Sequence, residues 1–287
     1  MEIFNPAEWA RLKKIDIIQA KKTIEAMREH KNIVFAPFLS SPPQTRFKKP
    51  IKLSSKNINT LLGNGFTPGT VYLIYGAYAT GKTQICFQVC VALYDLYKDL
   101  TTPISALFID TEGTFRPERI EEIAISGYGL KAVSVLAHIR VLKTQSTDAI
   151  FTVLKKMDSE GLDKEIKLII IDSLTKYVRV DLGDKMISNI QIREKLKRIL
   201  VYLREITKKN NIVTILNSQV TGFIAEKNIF SERPIMEYVL NHYVDEVLYL
   251  TKEEEIRWIY LVNSPSHANQ KVPFLISPSG IVDYEEK

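Results

Sequence analysis

The pattern G-x-x-x-x-G-K-[ST] is met at Gly76-Ala77-Tyr78-Ala79-Thr80-Gly81-Lys82-Thr83. An apolar, β-rich run precedes this stretch and a long apolar-periodic segment follows it, so the stretch is predicted to join a strand to a helix. Backbone N–H groups at such a helix N-terminus face phosphates, and the glycines allow close approach. Lys82 is predicted to bring a positive charge to the β- and γ-phosphates of ATP, and Thr83 a hydroxyl ligand to Mg²⁺.

Further strand-like runs on both sides of this loop define the fold class. Strand and helix patterns alternate through the middle of the chain, with buried runs at Val71–Tyr75, Ser105–Asp110, Leu168–Asp172 and Ile212–Asn217. This alternation predicts an α/β P-loop NTPase core with a mostly parallel central sheet and helices on both faces. Three last runs follow without intervening helices, Glu246–Leu250, Ile256–Val262 and Phe274–Ile276, so the sheet is predicted to finish in antiparallel strands.

Two carboxylates are candidates for the chemistry at this loop. Asp172 ends a buried strand, where its side chain reaches Mg²⁺ directly or through water; capping of the next turn is the alternative interpretation. Ser173 follows it, so no glutamate adjoins this aspartate. Glu112 comes two residues after the neighbouring strand ends at Asp110, and ligands bind at the carboxyl ends of such strands. Glu112 is therefore predicted to orient the attacking water.

The first 50 residues differ from the remainder. They hold ten Lys or Arg and five Asp or Glu, and Asn5-Pro6 opens a helical pattern that reaches about His30. Several prolines between 37 and 50 indicate an extended linker. We predict a basic helical extension and linker at 1–50 and the ATPase core at 51–287. The basic arm is compatible with phosphate-backbone contacts, although charge alone favours a solvated helix face.

Several classes of protein are disfavoured by the sequence. It has no apolar run of about 18 residues and no secretory signal pattern at its start, so no membrane partner and a cytoplasmic location are expected. Cys86 and Cys90, spaced for one helix face, are predicted to be buried apolar residues rather than zinc ligands.

A longer match extends from Phe108 through Asp110-Thr111-Glu112-Gly113-Thr114 to Ile120. This stretch resembles the signature of the RadA family, the archaeal and eukaryotic branch of the RecA recombinases. The resemblance continues through 76–84, which includes Gln84, and through 168–179, 217–220, 262–265 and 279–283, and so covers about 51–287. It implies a RecA-like fold.

The resemblance also implies roles for single residues. Glu112 positions the attacking water, Arg119 lies against the adenine base, and Gln219 senses the γ-phosphate and relays its presence to a DNA-binding loop. Arg179 falls in the first such loop. The stretch around Pro265 resembles a cap on the nucleotide of a neighbouring subunit, which implies a homo-oligomer with nucleotide at the interface.

The two loop segments carry the candidate contacts to single-stranded DNA. Arg179 and Lys185 lie in the first, while Lys227, Phe230 and Arg233 occupy the second, where one aromatic and two cations suit base stacking and phosphate contact. The alternative is that Lys227 and Arg233 only solvate a loop.

Three departures from the family qualify its function. Only about 50 residues precede the core, with no helix-hairpin-helix pattern, and Phe35-Ala36-Pro37-Phe38 does not supply the family's Phe/Ala oligomerisation motif. Ser218 stands where the family has Asn, and Gly222 is the one glycine between Gln219 and Glu246. We therefore expect an accessory RadA paralogue in recombinational repair whose partners are single-stranded DNA and a RadA-type recombinase or other paralogues. A strand-exchange recombinase and a KaiC-type signalling ATPase without DNA are the alternatives.

Overall fold

A computed structural model describes residues 49–285 except 102, 184–187 and 223–231, together with residues 16, 18 and 19. Residues 1–44 and 45–287 form two compact units. In the first unit the Asp16 carboxylate accepts hydrogen bonds from the backbone N–H groups of Ile18 (2.7 Å) and Gln19 (2.9 Å), as a helix N-cap does. The rest of the helical pattern predicted up to His30 lies outside the described residues.

The second unit is built on one large sheet. The strands of this unit are β1 Val71–Gly76, β2 Ser105–Asp110, β3 Ile139–Lys143, β4 Ile166–Asp172, β5 Val213–Ser218, β6 Val220–Gly222, β7 Glu232–Pro234, β8 Glu246–Glu253, β9 Ile256–Asn263, β10 Gln270–Ser277 and β11 Gly280–Asp283. The strands β6 and β7 form a separate two-stranded ribbon, and the others form the large sheet. The sheet has the order β11-β10-β9-β8-β1-β5-β4-β2-β3.

The strand directions confirm the predicted fold class. All neighbours from β8 through β1, β5, β4 and β2 to β3 are parallel, whereas β8, β9, β10 and β11 pair antiparallel. The run at Glu246–Leu250, expected among the antiparallel strands, forms the junction. It pairs in parallel with β1 on one side and antiparallel with β9 on the other.

Helices cover both faces of this sheet. They are α1 Lys56–Leu61, α2 Lys82–Tyr97, α3 Pro117–Tyr128, α4 Ala132–Leu136, α5 Thr147–Glu160, α6 Lys176–Gly183, α7 Asn189–Asn210 and α8 Glu237–Asn241. The helix predicted directly after the phosphate loop is α2. The Ser188 hydroxyl accepts from the Gln191 N–H (3.2 Å) and the Gln191 side chain accepts from the Ser188 N–H (3.1 Å), a capping box that starts α7. None of the helices in the described part of the chain is long and apolar enough to span a bilayer.

The core has a layer on each face of the sheet. Tyr72 and Ile74 of β1 pack with α2 on one face, and Val71 and Leu73 pack with α5 and α7 on the other. Residues 168–171 of β4 are all buried, as expected for a strand covered on both sides. Cys86 and Cys90 are free, buried thiols of α2, as predicted.

The topology brings the predicted residues to one edge. The strands β1, β2, β4 and β5 are parallel, so Gly76, Asp110, Asp172 and Ser218 end them at the same side of the sheet. The direction of chain progression changes around β1, which has β5 and β8 as neighbours. Crevices at this position in open α/β sheets are where ligands bind.

Candidate nucleotide-binding site

The loop between β1 and α2 depends on two glycines. Gly76 has φ +156°, and a Cβ there would lie 2.3 Å from the Leu250 carbonyl oxygen, so the close approach of β8 excludes any side chain. Gly81, the N-cap of α2, has φ +109°, a conformation that glycine adopts readily. The loop thus wraps the N-terminus of a 16-residue helix, whose free N–H groups suit an anion.

Lys82 lies across this loop. Its Nζ donates hydrogen bonds to the carbonyl oxygens of Gly76 (2.9 Å) and Ala77 (2.7 Å). Burial lowers the pKa of Lys82, while the carboxylates of Asp172 and Glu112 act in the opposite direction. A bound phosphate would compete with the two carbonyls for the ammonium group, and a charged acceptor forms the stronger hydrogen bond.

The predicted magnesium ligands are in direct contact. The Thr83 hydroxyl donates to Asp172 Oδ2 (2.6 Å). Burial raises the pKa of Asp172, and hydrogen bonds from Thr83 and Asn217 oppose the shift. Among the described residues no three His, Cys, Asp or Glu side chains form a metal cluster. One carboxylate and one hydroxyl fit Mg²⁺ nevertheless, because this ion usually takes one or two protein carboxylates plus phosphates and water.

Glu112 belongs to a chain of hydrogen bonds across three elements. Its Oε1 accepts from the Ser173 hydroxyl (2.6 Å) and from Gln219 Nε2 (2.7 Å). The side-chain Oε1 of Gln219 accepts in turn from Arg179 Nη1 on α6 (3.3 Å). Ser173 follows Asp172 through a cis peptide bond. The structure therefore joins Glu112, Gln219 and Arg179, which the sequence predicted separately, and adds Ser173.

Asp110 is a site residue that the sequence prediction missed. Its buried carboxylate accepts hydrogen bonds from four successive backbone N–H groups, at residues 112 to 115, over 2.8–3.2 Å. It therefore shapes the turn that carries Glu112. An aspartate at the end of a strand, just before Thr-Glu-Gly-Thr, was the available signal, since Asp side chains commonly bond backbone groups a few residues ahead.

Arg119 contacts the turn between β10 and β11. Its Nε donates to Gln84 Oε1 (2.7 Å), its Nη2 to the Ser277 carbonyl (2.7 Å) and its Nη1 to the Pro278 carbonyl (3.3 Å), and it forms an ion pair with Glu122. These contacts place Arg119 and Gln84 side by side. The adenine contact of Arg119 stays a prediction from the resemblance.

A single cleft of about 880 Å³ collects most of these side chains. Its walls include the loop, Glu112, Arg119, Asp172 and Gln219, and also Arg257, which the sequence analysis did not single out. Thr80 of the loop is buried, and its hydroxyl donates to the Ala77 carbonyl (2.9 Å), so its contact with the nucleotide stays a prediction. Tyr78, in contrast, is 97% exposed on the loop.

The predicted DNA contacts are only partly within the described residues. Arg179 lines the cleft, and Arg233 lies on β7, where its Nη1 is 3.1 Å from a Glu237 carboxylate oxygen. Lys185, Lys227 and Phe230 lie outside the described residues, so their placement stays a prediction.

The segment predicted to cap a neighbouring nucleotide is anchored within the chain. The Ser264 hydroxyl donates to Glu246 Oε1 (2.9 Å) and accepts from the N–H groups of Ser266 (3.1 Å) and His267 (3.0 Å). Burial raises the pKa of Glu246. The cap itself, and the homo-oligomer it implies, stay predictions.

Comparison with known proteins places this geometry in a family. The Rad51 family model matches residues 48–284. The protein named DNA repair and recombination protein RadA from Aeropyrum pernix is 29% identical over 285 residues, which cover 98% of this chain and 88% of that protein. The protein of the same name from Metallosphaera sedula is 30% identical over 290 residues, covering 99% and 88%. The DNA repair protein RAD51 homolog of Solanum lycopersicum is 28% identical over 241 residues, covering 82% and 70%. The chain therefore belongs to the Rad51 family, the group of recombination and repair proteins that includes RadA.

Proposed function

We propose that this protein is a Mg²⁺-dependent ATPase that binds single-stranded DNA and assists a RadA-type recombinase in DNA repair. The hydrogen-bonded chain Glu112–Gln219–Arg179 is the observation that carries the proposal. It links a carboxylate at the phosphate loop to Arg179, in the segment that resembles the first DNA-binding loop. Gln219 itself directly precedes the second loop segment. A change in the contacts of Glu112 would therefore reach both segments.

The side chains of the cleft suit hydrolysis of a phosphoanhydride. Lys82 exchanges the carbonyls of Gly76 and Ala77 for the β- and γ-phosphates of ATP. Thr83 and Asp172 would hold Mg²⁺, which would neutralise charge on the phosphate oxygens. Glu112 accepts a proton from the attacking water, and Ser173 and Gln219 hold its carboxylate in one orientation.

Two sequence features favour an accessory role over strand exchange. Ser218 replaces the family's Asn beside Gln219, and Gly222 is the single glycine between Gln219 and Glu246. Fewer glycines leave the second loop fewer of the φ > 0 conformations that a close backbone approach to DNA uses. The archaeal relatives are named DNA repair and recombination protein, which supports a role of this chain in DNA repair and recombination.

We expect that the purified protein alone does not exchange strands. The measurement is joint-molecule formation between homologous single- and double-stranded DNA with ATP and Mg²⁺, first with this protein and then with a RadA-type recombinase added. A changed recombinase yield, in either direction, that is lost in Lys82→Ala protein would support the accessory role. Efficient exchange by the protein alone would instead make it a recombinase.

We expect the binding of single-stranded DNA to be mostly electrostatic. If about four phosphates are contacted, log K should fall with log salt at a slope near −3. Arg179→Ala should weaken binding and reduce the slope by about 0.7, the value for one phosphate on a single strand. Arg140→Ala is the matched control, since Arg140 is a surface arginine paired with Asp163 (2.6 Å) and Glu165. A salt-independent affinity would favour the alternative in which Lys227 and Arg233 only solvate a loop, and an absence of DNA binding would favour a signalling ATPase without DNA.

A further inference from the structure

One cation of the cleft has no role in the phosphate-loop motif or in the residues of the family resemblance. Arg257 is the second residue of β9 and lines the cleft together with Tyr78 and Ile276. It reaches this position from a hairpin more than 170 residues beyond the loop. The hairpin of β8 and β9 reaches the cleft because β8 pairs in parallel with β1, with Gly76 opposite Leu250. The strand β8 then continues past the end of β1 before the chain turns into β9.

The pairing of β9 with β10 fixes the direction of the Arg257 side chain. Arg257 lies directly opposite Phe274, and side chains of directly opposed residues leave a sheet on the same face. On that face a Cβ placed on Gly81 would lie 3.4 Å from a ring carbon of Phe274 and 3.2 Å from the Ile276 terminal methyl. The Arg257 side chain therefore emerges beside the N-terminus of α2, where the phosphate loop ends.

The guanidinium group of Arg257 has a nitrogen donor without an acceptor among the described residues. Its Nη1 donates to the Glu255 carbonyl (3.0 Å), whereas its Nε is buried and has no partner within the described part of the chain. A buried donor without an acceptor is destabilising. Arg119 of the same cleft differs, because its Nε and both terminal nitrogens donate to protein oxygens.

We infer that Arg257 binds the phosphate groups of the nucleotide from within the same chain, as a second side-chain cation beside Lys82. This inference rests on the proposed binding of ATP. A phosphate oxygen is the acceptor that suits the arrangement, because a guanidinium group offers several N–H donors in one plane to an anion. The antiparallel end of the sheet thereby becomes part of the nucleotide site, rather than only an extension of the core.

The test compares nucleotide affinities of the full-length chain with Mg²⁺ present. Titration calorimetry with ATP, ADP and adenosine is carried out on the wild type, Arg257→Gln, Arg257→Lys and Lys271→Gln. Lys271 is the matched control, since it is exposed and lies on the opposite face of the same sheet, with its ammonium group 4.2 Å from the centre of the Trp258 ring. Thermal unfolding without nucleotide reports whether each variant is folded.

The expected result is selective for phosphates. Arg257→Gln should weaken ATP and ADP binding about 10- to 100-fold, the size of one charge-assisted hydrogen bond, with adenosine binding and the melting temperature unchanged. Arg257→Lys should retain part of the affinity, and Lys271→Gln should stay within about twofold of the wild type, as expected for an exposed charge away from the ligand.

Several results would overturn the inference. Unchanged ATP affinity in Arg257→Gln, or an equal loss of affinity for adenosine, would show that Arg257 does not bind the phosphates. The proposed ATPase function would not be affected by this result. If Arg257→Gln does not fold, Arg257→Lys and Arg257→Met replace it in the test. Full ATP affinity in both of these variants would overturn the inference. A wild-type protein that binds no ATP would reject the proposed function, and the inference with it.

Discussion

Lys82→Ala is expected to abolish ATP hydrolysis and to weaken ATP binding. The ammonium group lies 2.9 and 2.7 Å from the first two carbonyls of the loop, so it is already placed where the phosphates enter. Its removal takes away a charge that meets the β- and γ-phosphates, and hydrogen bonds to charged groups contribute about 1.5–3 kcal/mol each. We expect a loss of affinity of about 10- to 100-fold and turnover at the background rate.

The measurement for Lys82 is steady-state phosphate release together with the Kd for ATP. Lys98→Ala is the matched control, because Lys98 follows the last residue of the same helix, α2, and pairs on the surface with Asp95 (2.9 Å). It should behave as the wild type does. Turnover above a tenth of the wild-type rate in Lys82→Ala would contradict the assignment of the loop.

Glu112→Gln is expected to bind ATP normally and to lose turnover by about 10²–10⁴-fold, the range for one general base. The glutamine carbonyl can still accept from the Ser173 hydroxyl and from Gln219 Nε2, so the hydrogen-bonded chain is preserved. An amide oxygen is too weak a base to accept the proton of water. Binding and hydrolysis should therefore separate in this variant.

Single-turnover hydrolysis and ATP affinity are measured side by side on Glu112→Gln. Glu118→Gln serves as the control, since Glu118 is exposed in the first turn of α3. This substitution also removes one carboxylate charge, but outside the cleft. Glu112→Ala adds a second reading, because it also removes the acceptor for Ser173 and Gln219. Full activity in Glu112→Gln would move the water-activating role to another residue.

The local features of the chain could be predicted because the residues that determine them are close together in the sequence. The glycines, Lys82 and Thr83 fall within eight consecutive residues, and the strand and helix beside them are continuous apolar runs. Asp172 and Glu112 could be predicted because Asp172 ends one buried strand and Glu112 follows the end of another, and parallel strands end at one edge. The parallel sheet follows from the alternation of strands and helices, and its antiparallel finish from three strand-like runs without helices between them.

Other features became visible only in three dimensions. The strand β3 lies at the edge of the sheet and carries the exposed Arg140 and Lys143, so it lacks the apolar run that marks the inner strands. The direction of β8 relative to β1 depends on how distant segments pair, and no local pattern encodes that choice.

The division is clearest within the cleft. The sequence by itself determined the phosphate loop, because a tight turn around a helix N-terminus is built from neighbouring residues. Only the tertiary structure decided that Gln219 donates to Glu112 over a separation of 107 residues, and that Arg257 lines the cleft from the C-terminal hairpin. Such contacts are set by strand order and register, which place residues together through the packing of the whole sheet rather than through their neighbours in the chain.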